Sequence, residues 1–296
     1  QARVGMVARR PAAPGPRRGA SCPPRGGFLA ALVSARHDAE FWLACSADVL
    51  APTLKRLSMF VMRAQAKLSD ASAELAVVGL TGTVAAAWVA TTAAAAVDAV
   101  WAKADVAGGA VVIRLPDALD KAQDDAARVA RWLWIGPREA AEALQAALPA
   151  LDPARWQALE VRSGVVPVAA VTAGQFVPQM LNYELVGGVD FKKGCYPGQE
   201  VVARSHYLGK LKRRAFLLTG TVSMTPGQEV FWSGDPGQPA GVIAAAATGA
   251  DGTALALAEL KLAAVATGTL ALGAADGPAV RLGALPYALP TTDAAA

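Results

Sequence analysis

The sequence predicts a mixed region of strands and helices, α+β or α/β, running to about residue 205, followed by an all-β module, a small antiparallel barrel or sandwich. Three observations predict it. Short apolar runs alternate with longer runs of helical spacing through the first two thirds of the chain. After about Tyr207 the texture changes to short runs broken by Gly, Pro, Asp and Thr. No stretch of about 18 or more large apolar residues occurs, so no membrane span is expected.

Residues 28–33 (FLAALV) and 40–45 (EFWLAC) read as strands flanking the polar turn SARHDA. In the next run Ser46 or Asp48 serves as N-cap, and Val49, Leu50, Leu54, Leu57 and Phe60 are spaced for one helix face. ELAVVGL (74–80) is a short buried strand, and the Ala-rich run from Ala85 to Ala102 reads as one helix. AVVIRL (110–115) and RWLWIG (131–136) are strands, the second leading into the helix PREAAEALQAAL with proline in its first turn. A further helix over 152–164 is capped by Asp152 and stopped by Gly164. Beyond it, RRAFLLTGTV, GQEVFWSG, QPAGVIAAAA, TALALAEL, TGTLALG and PAVRLGAL are the short strands of the β module.

The charge is unevenly spread. Six arginines fall within the first 25 residues, and no acid precedes Asp38. The rest of the chain carries two more acids than bases, so the folded body is no basic nucleic-acid platform. Residues 1–19 are expected to be an unstructured Arg/Pro-rich leader. Cys22, Cys45 and Cys195 are too widely spaced for a disulfide framework or a CxxC clip, which fits a reducing cytoplasm. No phosphate-binding GxxxxGK[ST], HExxH or GxSxG motif occurs, and His37 and His206 are too few for a histidine metal site. GLTGTV (79–84) reads as a strand-to-helix turn. No metal site is expected.

The most elaborate loop of the chain is FKKGCYPGQEVVAR, 191–204. Gly194 and Gly198 bracket Cys195, and Pro197 stiffens the turn between them, so the cysteine lies on a preset loop. Lys192, Lys193, Lys210 and Lys212 would favour its thiolate. A buried, inert cysteine is the competing reading at this point.

Lys193, Gly194, Cys195, Tyr196, Gly198, Gln199 and Glu200 make up a signature that resembles that of the YgfZ family of folate-binding proteins, Lys-x-Gly-Cys-Tyr/Phe-x-Gly-Gln-Glu. FVPQMLNYELVGGVDF, WQALEVRSGVV and LKRLSMFVMRAQAKLSD resemble that family too. The likeness runs from about Ala20 to the C-terminus. The family is related to the glycine-cleavage T-protein, an aminomethyltransferase. The resemblance therefore implies an α+β chain: aminomethyltransferase-like folate-binding domains in a ring over 20–209, and a C-terminal small β-barrel over 210–296. In the T-protein a glutamate grips the pterin, and the matching position is Glu184; a carboxylate can accept paired N–H bonds there. The arginine that faces the folate tail matches Arg213, with Arg214 as the rival. Asn182 and Tyr196 are the further cofactor-binding candidates. From the residues alone Glu184 is a surface carboxylate and Arg213 a solvated strand charge.

The resemblance implies a folate-binding accessory protein, its cofactor tetrahydrofolate or a derivative. It would support iron–sulfur cluster assembly or repair and iron–sulfur-dependent tRNA modification. Cys195 is its functional thiol, its partners iron–sulfur assembly or client proteins, with neither direct nucleic-acid nor membrane contact. A transferase-like fold without aminomethyl transfer is expected, and whether any reaction is catalysed stays open; a tetrahydrofolate-dependent aminomethyltransferase is the alternative. Two departures stand out. The family's N-terminal Gly-Gln-x-Thr-type motif has no counterpart, so the first domain is expected to be incomplete or replaced. Gly27 stands where the family carries arginine.

Overall fold

The computed structural model describes residues 3–9, 17–21, 27–61, 66–123, 126–189 and 211–290. It divides into two compact units: residues 1–21, 29–116 and 129–151 in the first, residues 22–28, 117–128 and 152–296 in the second. The barrel expected from 210 onward thus shares its unit with residues from 152 on.

The first unit holds one sheet and most of a second. One has the strand order β2-β3-β4-β1-β5, with β1 (Arg3–Arg9), β2 (Arg17–Ser21), β3 (Ala30–His37), β4 (Glu40–Ser46) and β5 (Leu68–Asp70). The leader expected over 1–19 is therefore corrected: β1 pairs with β4 in register from Arg3↔Ser46 to Arg9↔Glu40, and β2 pairs with β3. Composition averaged over 19 residues hides the reason. Pro11, Pro14 and Pro16 all lie between the two strands, leaving the run VGMVA free of prolines and able to donate to a ladder. The β3–β4 hairpin turns on Asp38 and Ala39, with Asp38 at φ +50°, so most of the turn expected as SARHDA is strand. His37 stacks on Trp42 with ring centroids 4.2 Å apart, and its Nδ1 lies 3.6 Å from Asp105 Oδ1. Hydrogen bonding from the Lys103 ammonium holds the Asp105 carboxyl below the usual carboxylate value.

Helix α1 (Leu50–Ser58) follows a 3-10 turn over Ala47–Val49; Val49 of the turn and Leu50 of the helix pack with Ala30 and Cys45, with Leu54 and Leu57 at the edge. Phe60, expected on that face, lies past the helix end and is exposed, with the Arg56 guanidinium 5.7 Å from its ring centroid.

The second sheet has the order β6-β9-β8-β7, with β6 (Leu75–Thr81), β7 (Lys103–Val106), β8 (Ala110–Leu119) and β9 (Arg128–Pro137). Helices α2 (Gly82–Thr92) and α3 (Arg138–Ala147) supply Ala85, Val89, Ala141 and Leu144 to its core around Trp132 and Trp134. The helix expected to reach Ala102 ends at Thr92. The sheet claims the backbone beyond that point: Ala94 N–H donates to Asp105 O, Trp101 N–H to Arg114 O, and Arg114 N–H to Ala102 O, at 2.8–2.9 Å. Tertiary hydrogen bonding overrides alanine's helix propensity here.

The second unit is built on a closed barrel in the order β10-β13-β12-β11-β14-β15. Its strands are β10 (Arg213–Gly220), β11 (Glu229–Trp232), β12 (Gly241–Thr248), β13 (Ala254–Lys261), β14 (Leu270–Leu272) and β15 (Ala279–Gly283). Leu218, Val230, Ile243, Ala256, Ala258 and Leu260 fill it, each at most 1 % exposed. Helix α4 (Pro153–Arg162) packs on β12 and β13, and the short α5 (Leu262–Ala266) follows β13. The Asp152 carboxylate caps α4 by accepting from Ala154 N–H at 2.9 Å, and Gly164 ends it at φ +66°, both as expected.

Among the described residues no helix is long and apolar enough to cross a membrane.

Candidate functional site

Residues 178–188 are shaped by local backbone chemistry. A 3-10 turn over Pro178–Leu181 ends on Asn182 in the left-handed region, φ +58°. Asparagine is one of the few residues that adopt this conformation readily. Leu185 N–H then closes back on Asn182 O at 3.0 Å, and Gly188 N–H on Tyr183 O at 2.7 Å. Tyr183 anchors the loop: it is fully buried, donates its hydroxyl to Val166 O, and meets Phe28 edge-on with centroids 4.5 Å apart. A Cβ at position 188 would collide with Tyr183 Cδ1, which is why the second glycine of the pair is needed.

With Tyr183 committed to the core, its neighbours reach β10. Arg214 Nη1 donates to Glu184 Oε1 at 2.7 Å and to Asn182 Oδ1 at 3.0 Å. Asn182 Nδ2 donates to Ala215 O at 2.8 Å and to the Tyr287 hydroxyl at 3.3 Å, and that hydroxyl donates to Gly164 O at 2.7 Å. The Glu184 and Arg214 side chains are each only 11 % exposed, and Asn182 is fully buried. Tyr287 is half-buried as a residue, but its hydroxyl end is inside, and burial pushes the phenol up to about 12.

One atom of the cluster is left over. Glu184 Oε2 is buried and has no hydrogen-bond partner among the described residues. Leaving a buried acceptor unsatisfied costs about 1–3 kcal/mol, so an N–H or O–H donor reaching that oxygen would be stabilising. The guanidinium of Arg214 supplies the compensating charge on the other oxygen.

Arg213, the first sequence candidate for this neighbourhood, is placed elsewhere. Successive residues of a strand face opposite sides. Arg213 makes a two-pronged pair with Glu259 of β13, through Nε to Oε1 and through Nη2 to Oε2 at 2.8 Å, and also reaches Ala240 O. The structure thus brings Glu184, Asn182 and Arg214 together and leaves Arg213 out. Nor is either sequence-only reading met: Glu184 is no surface carboxylate, and Arg213 is not simply solvated. Three members of the cluster were not singled out by sequence, the Gly164 and Ala215 carbonyls and Tyr287. The sequence signal for Tyr287 is a lone aromatic between Pro286 and Pro290 in a chain with only four tyrosines.

Tyr287 also lines a pocket of about 490 Å³ with Arg128, Phe216, Gly283 and the segment Ala284–Leu289. The signature residues Lys193, Gly194, Cys195, Tyr196, Gly198, Gln199 and Glu200 lie outside the described residues, as do Cys22 and His206. Cys45 is buried, 2 % exposed. Among the described residues no group of three or more His, Cys, Asp or Glu side chains is placed to hold a metal ion.

The architecture is that of aminomethyltransferase T. The crystal structure of the glycine cleavage system aminomethyltransferase T from Bartonella henselae superposes with a TM-score of 0.69, over 96 % of this chain and 82 % of that one, at 15 % identity. In sequence, the chain is similar to the tRNA-modifying protein YgfZ of Escherichia coli, strains SMS-3-5 / SECEC and O157:H7 EC4115 / EHEC. Each is 47 % identical over 72 residues, 24 % of this chain and 22 % of the relative, so the likeness spans about a fifth of the curated relatives' length. No family model matches the chain.

Proposed function

We propose that this chain is a folate-binding accessory protein working in the cytoplasm, with tetrahydrofolate or a derivative as its cofactor. It supports iron–sulfur cluster assembly or repair, and through it iron–sulfur-dependent tRNA modification. The observation that carries the reading is the buried Glu184 oxygen that has no partner among the described residues, at the position where the family resemblance puts the pterin anchor. The residues fit the group. A pterin offers an amino group and a ring N–H side by side, and Glu184 has one oxygen open and the other balanced by Arg214. Glu184 holds the ligand, Arg214 keeps the carboxylate charged and oriented, and Asn182 fixes Arg214. Bound folate would supply one-carbon chemistry; the chain's own residues bind it, orient it and exclude water. Cys195 is the thiol offered to the iron–sulfur substrate, and assembly or client proteins are the partners.

The test is ligand-dependent thermal stabilisation, because a ligand that binds only the folded state raises stability by mass action. Tetrahydrofolate is expected to raise Tm, and Glu184→Ala to remove most of the shift. Losing a charge-assisted pair to a buried ligand costs about 1.5–3 kcal/mol, roughly tenfold or more in affinity. Equal shifts in the two proteins would eliminate Glu184 as the anchor. The fold likeness is equally compatible with a tetrahydrofolate-dependent aminomethyltransferase. A glycine-cleavage assay with purified partners separates the two, and turnover there would replace the accessory reading.

A further inference from the structure

One member of the Glu184 cluster comes from far along the chain, and its hydrogen bonds go to neither charged group. The Tyr287 hydroxyl donates to Gly164 O at 2.7 Å, and it accepts from Asn182 Nδ2 at 3.3 Å. Asn182 Nδ2 also donates to Ala215 O. Both amide protons are thereby committed to acceptors, and Oδ1 is the atom left to face Arg214. A flipped amide would set NH2 against a guanidinium and the amide oxygen against a carbonyl. Arg214 Nη1 is in turn shared between Asn182 Oδ1 and Glu184 Oε1, which leaves Oε2 as the carboxylate atom with no partner among the described residues.

We infer that Tyr287 is a positioning residue of this site: its hydroxyl sets the Asn182 amide, the amide sets Arg214, and Arg214 holds Glu184 with one oxygen presented to the ligand. The inference rests on the folate-binding reading for its ligand but not for its geometry. Two further features fit it. Gly164 makes room for the ring, because a Cβ there would sit 2.6 Å from Tyr287 Cε1 and 2.9 Å from its hydroxyl. The segment that carries Tyr287 is itself pinned, by Arg128 Nη2 to Pro286 O at 2.7 Å and by Ala284 N–H to Ala122 O at 3.3 Å. The phenol, raised to about 12 by burial, keeps its proton for Gly164 across the physiological range.

Tyr287→Phe removes the hydroxyl and keeps the ring. Asn182→Gly removes the amide and keeps the left-handed backbone, which alanine would strain. Tetrahydrofolate affinity is measured by calorimetry in the full chain, the two single variants and the double variant, with NMR of the Arg214 guanidinium protons in the absence of ligand. Tyr287→Phe is expected to weaken binding about five- to tenfold, as for one lost hydrogen-bond link. The double variant should bind no worse than Asn182→Gly alone, since the hydroxyl acts only through the amide. The slowly exchanging Arg214 resonances should be lost in both single variants. Unchanged affinity together with unchanged Arg214 resonances in folded Tyr287→Phe would overturn the inference. So would additive losses in the double variant, and so would a Tyr287→Phe protein too unstable to assay, because its role would then be structural. If the unaltered protein does not bind tetrahydrofolate, the folate reading falls, and the Arg214 resonances alone decide the positioning role.

Discussion

Replacing Arg213 with alanine separates a structural arginine from a ligand-facing one. The Glu259 carboxylate lies on the inner stretch of β13, with a side chain 4 % exposed, and Arg213 covers it with two hydrogen bonds from β10. The strand register sets this up: Ala215 pairs with Glu259 and Arg213 with Lys261, so Arg213 reaches diagonally across the ladder. Removing one partner of a fully buried pair costs about 3–5 kcal/mol, because an uncompensated charge stays behind. Arg213 is 28 % exposed, so water reaches the abandoned carboxylate, and the expected loss falls to about 2 kcal/mol. For a chain of this size that is roughly 4–8 °C in Tm. Hydrogen exchange at the β10 and β13 amides, read beside a urea melt, localises the loss to the barrel. Tetrahydrofolate affinity should be unchanged within about twofold, because Arg213 faces away from Arg214 on β10 and shares none of its hydrogen-bond partners, whereas Arg214→Ala should weaken it strongly. Pairing Arg213→Met with Glu259→Leu should recover most of the stability, since no charge is then left buried. If Arg213→Ala keeps its barrel protection and loses folate binding, the roles assigned to the two arginines are wrong.

Two further outcomes are expected, one at the site and one in the signature loop. The Tyr287 phenol ionises at about 12 in the folded chain against 10.0 for the ordinary group. Between those values the folded state holds the extra proton, so its contribution is complete below pH 10 and is lost as pH rises towards 12. That loss amounts to about 2–3 kcal/mol, and Tyr287→Phe should flatten the alkaline fall in a urea-melt series; an unchanged slope would show that another group titrates there. In the signature loop, Cys195 should alkylate faster than Cys45, which is 2 % exposed, with a pKa below the free value of about 8.5. Cys195→Ser should fold and bind folate yet fail to support iron–sulfur enzymes in complementation; slow alkylation with intact complementation would make the loop a structural turn.

What could be read directly from the sequence is what short-range chemistry decides. The Asp152 cap and the Gly164 stop bound α4 through contacts within a few residues of themselves. All six barrel strands show as apolar runs separated by turn residues, since a chain reversal needs Gly, Pro, Asp or Thr wherever the fold places it. Glu184 and Asn182 were legible through the motif that contains them, although nothing in their own neighbourhood marks them as buried.

Tertiary structure decided the rest, where a residue's state depends on a partner far away in the chain. Whether Arg213 or Arg214 meets Glu184 is a matter of which strand face looks outward, and that is settled by the pairing of β10 with β13 some 45 positions on. The run after Thr92 is as alanine-rich as the helix before it, and it leaves the helix because Asp105 and Arg114 take its backbone hydrogen bonds. β1 exists because β4 and β5 offer it ladders on both sides. Tyr287 joins the site across more than a hundred residues, through hydrogen bonds to Gly164 and Asn182. Helical periodicity and turn chemistry act over a handful of positions, whereas burial and strand register are properties of the assembled chain, which is why only the fold could assign these.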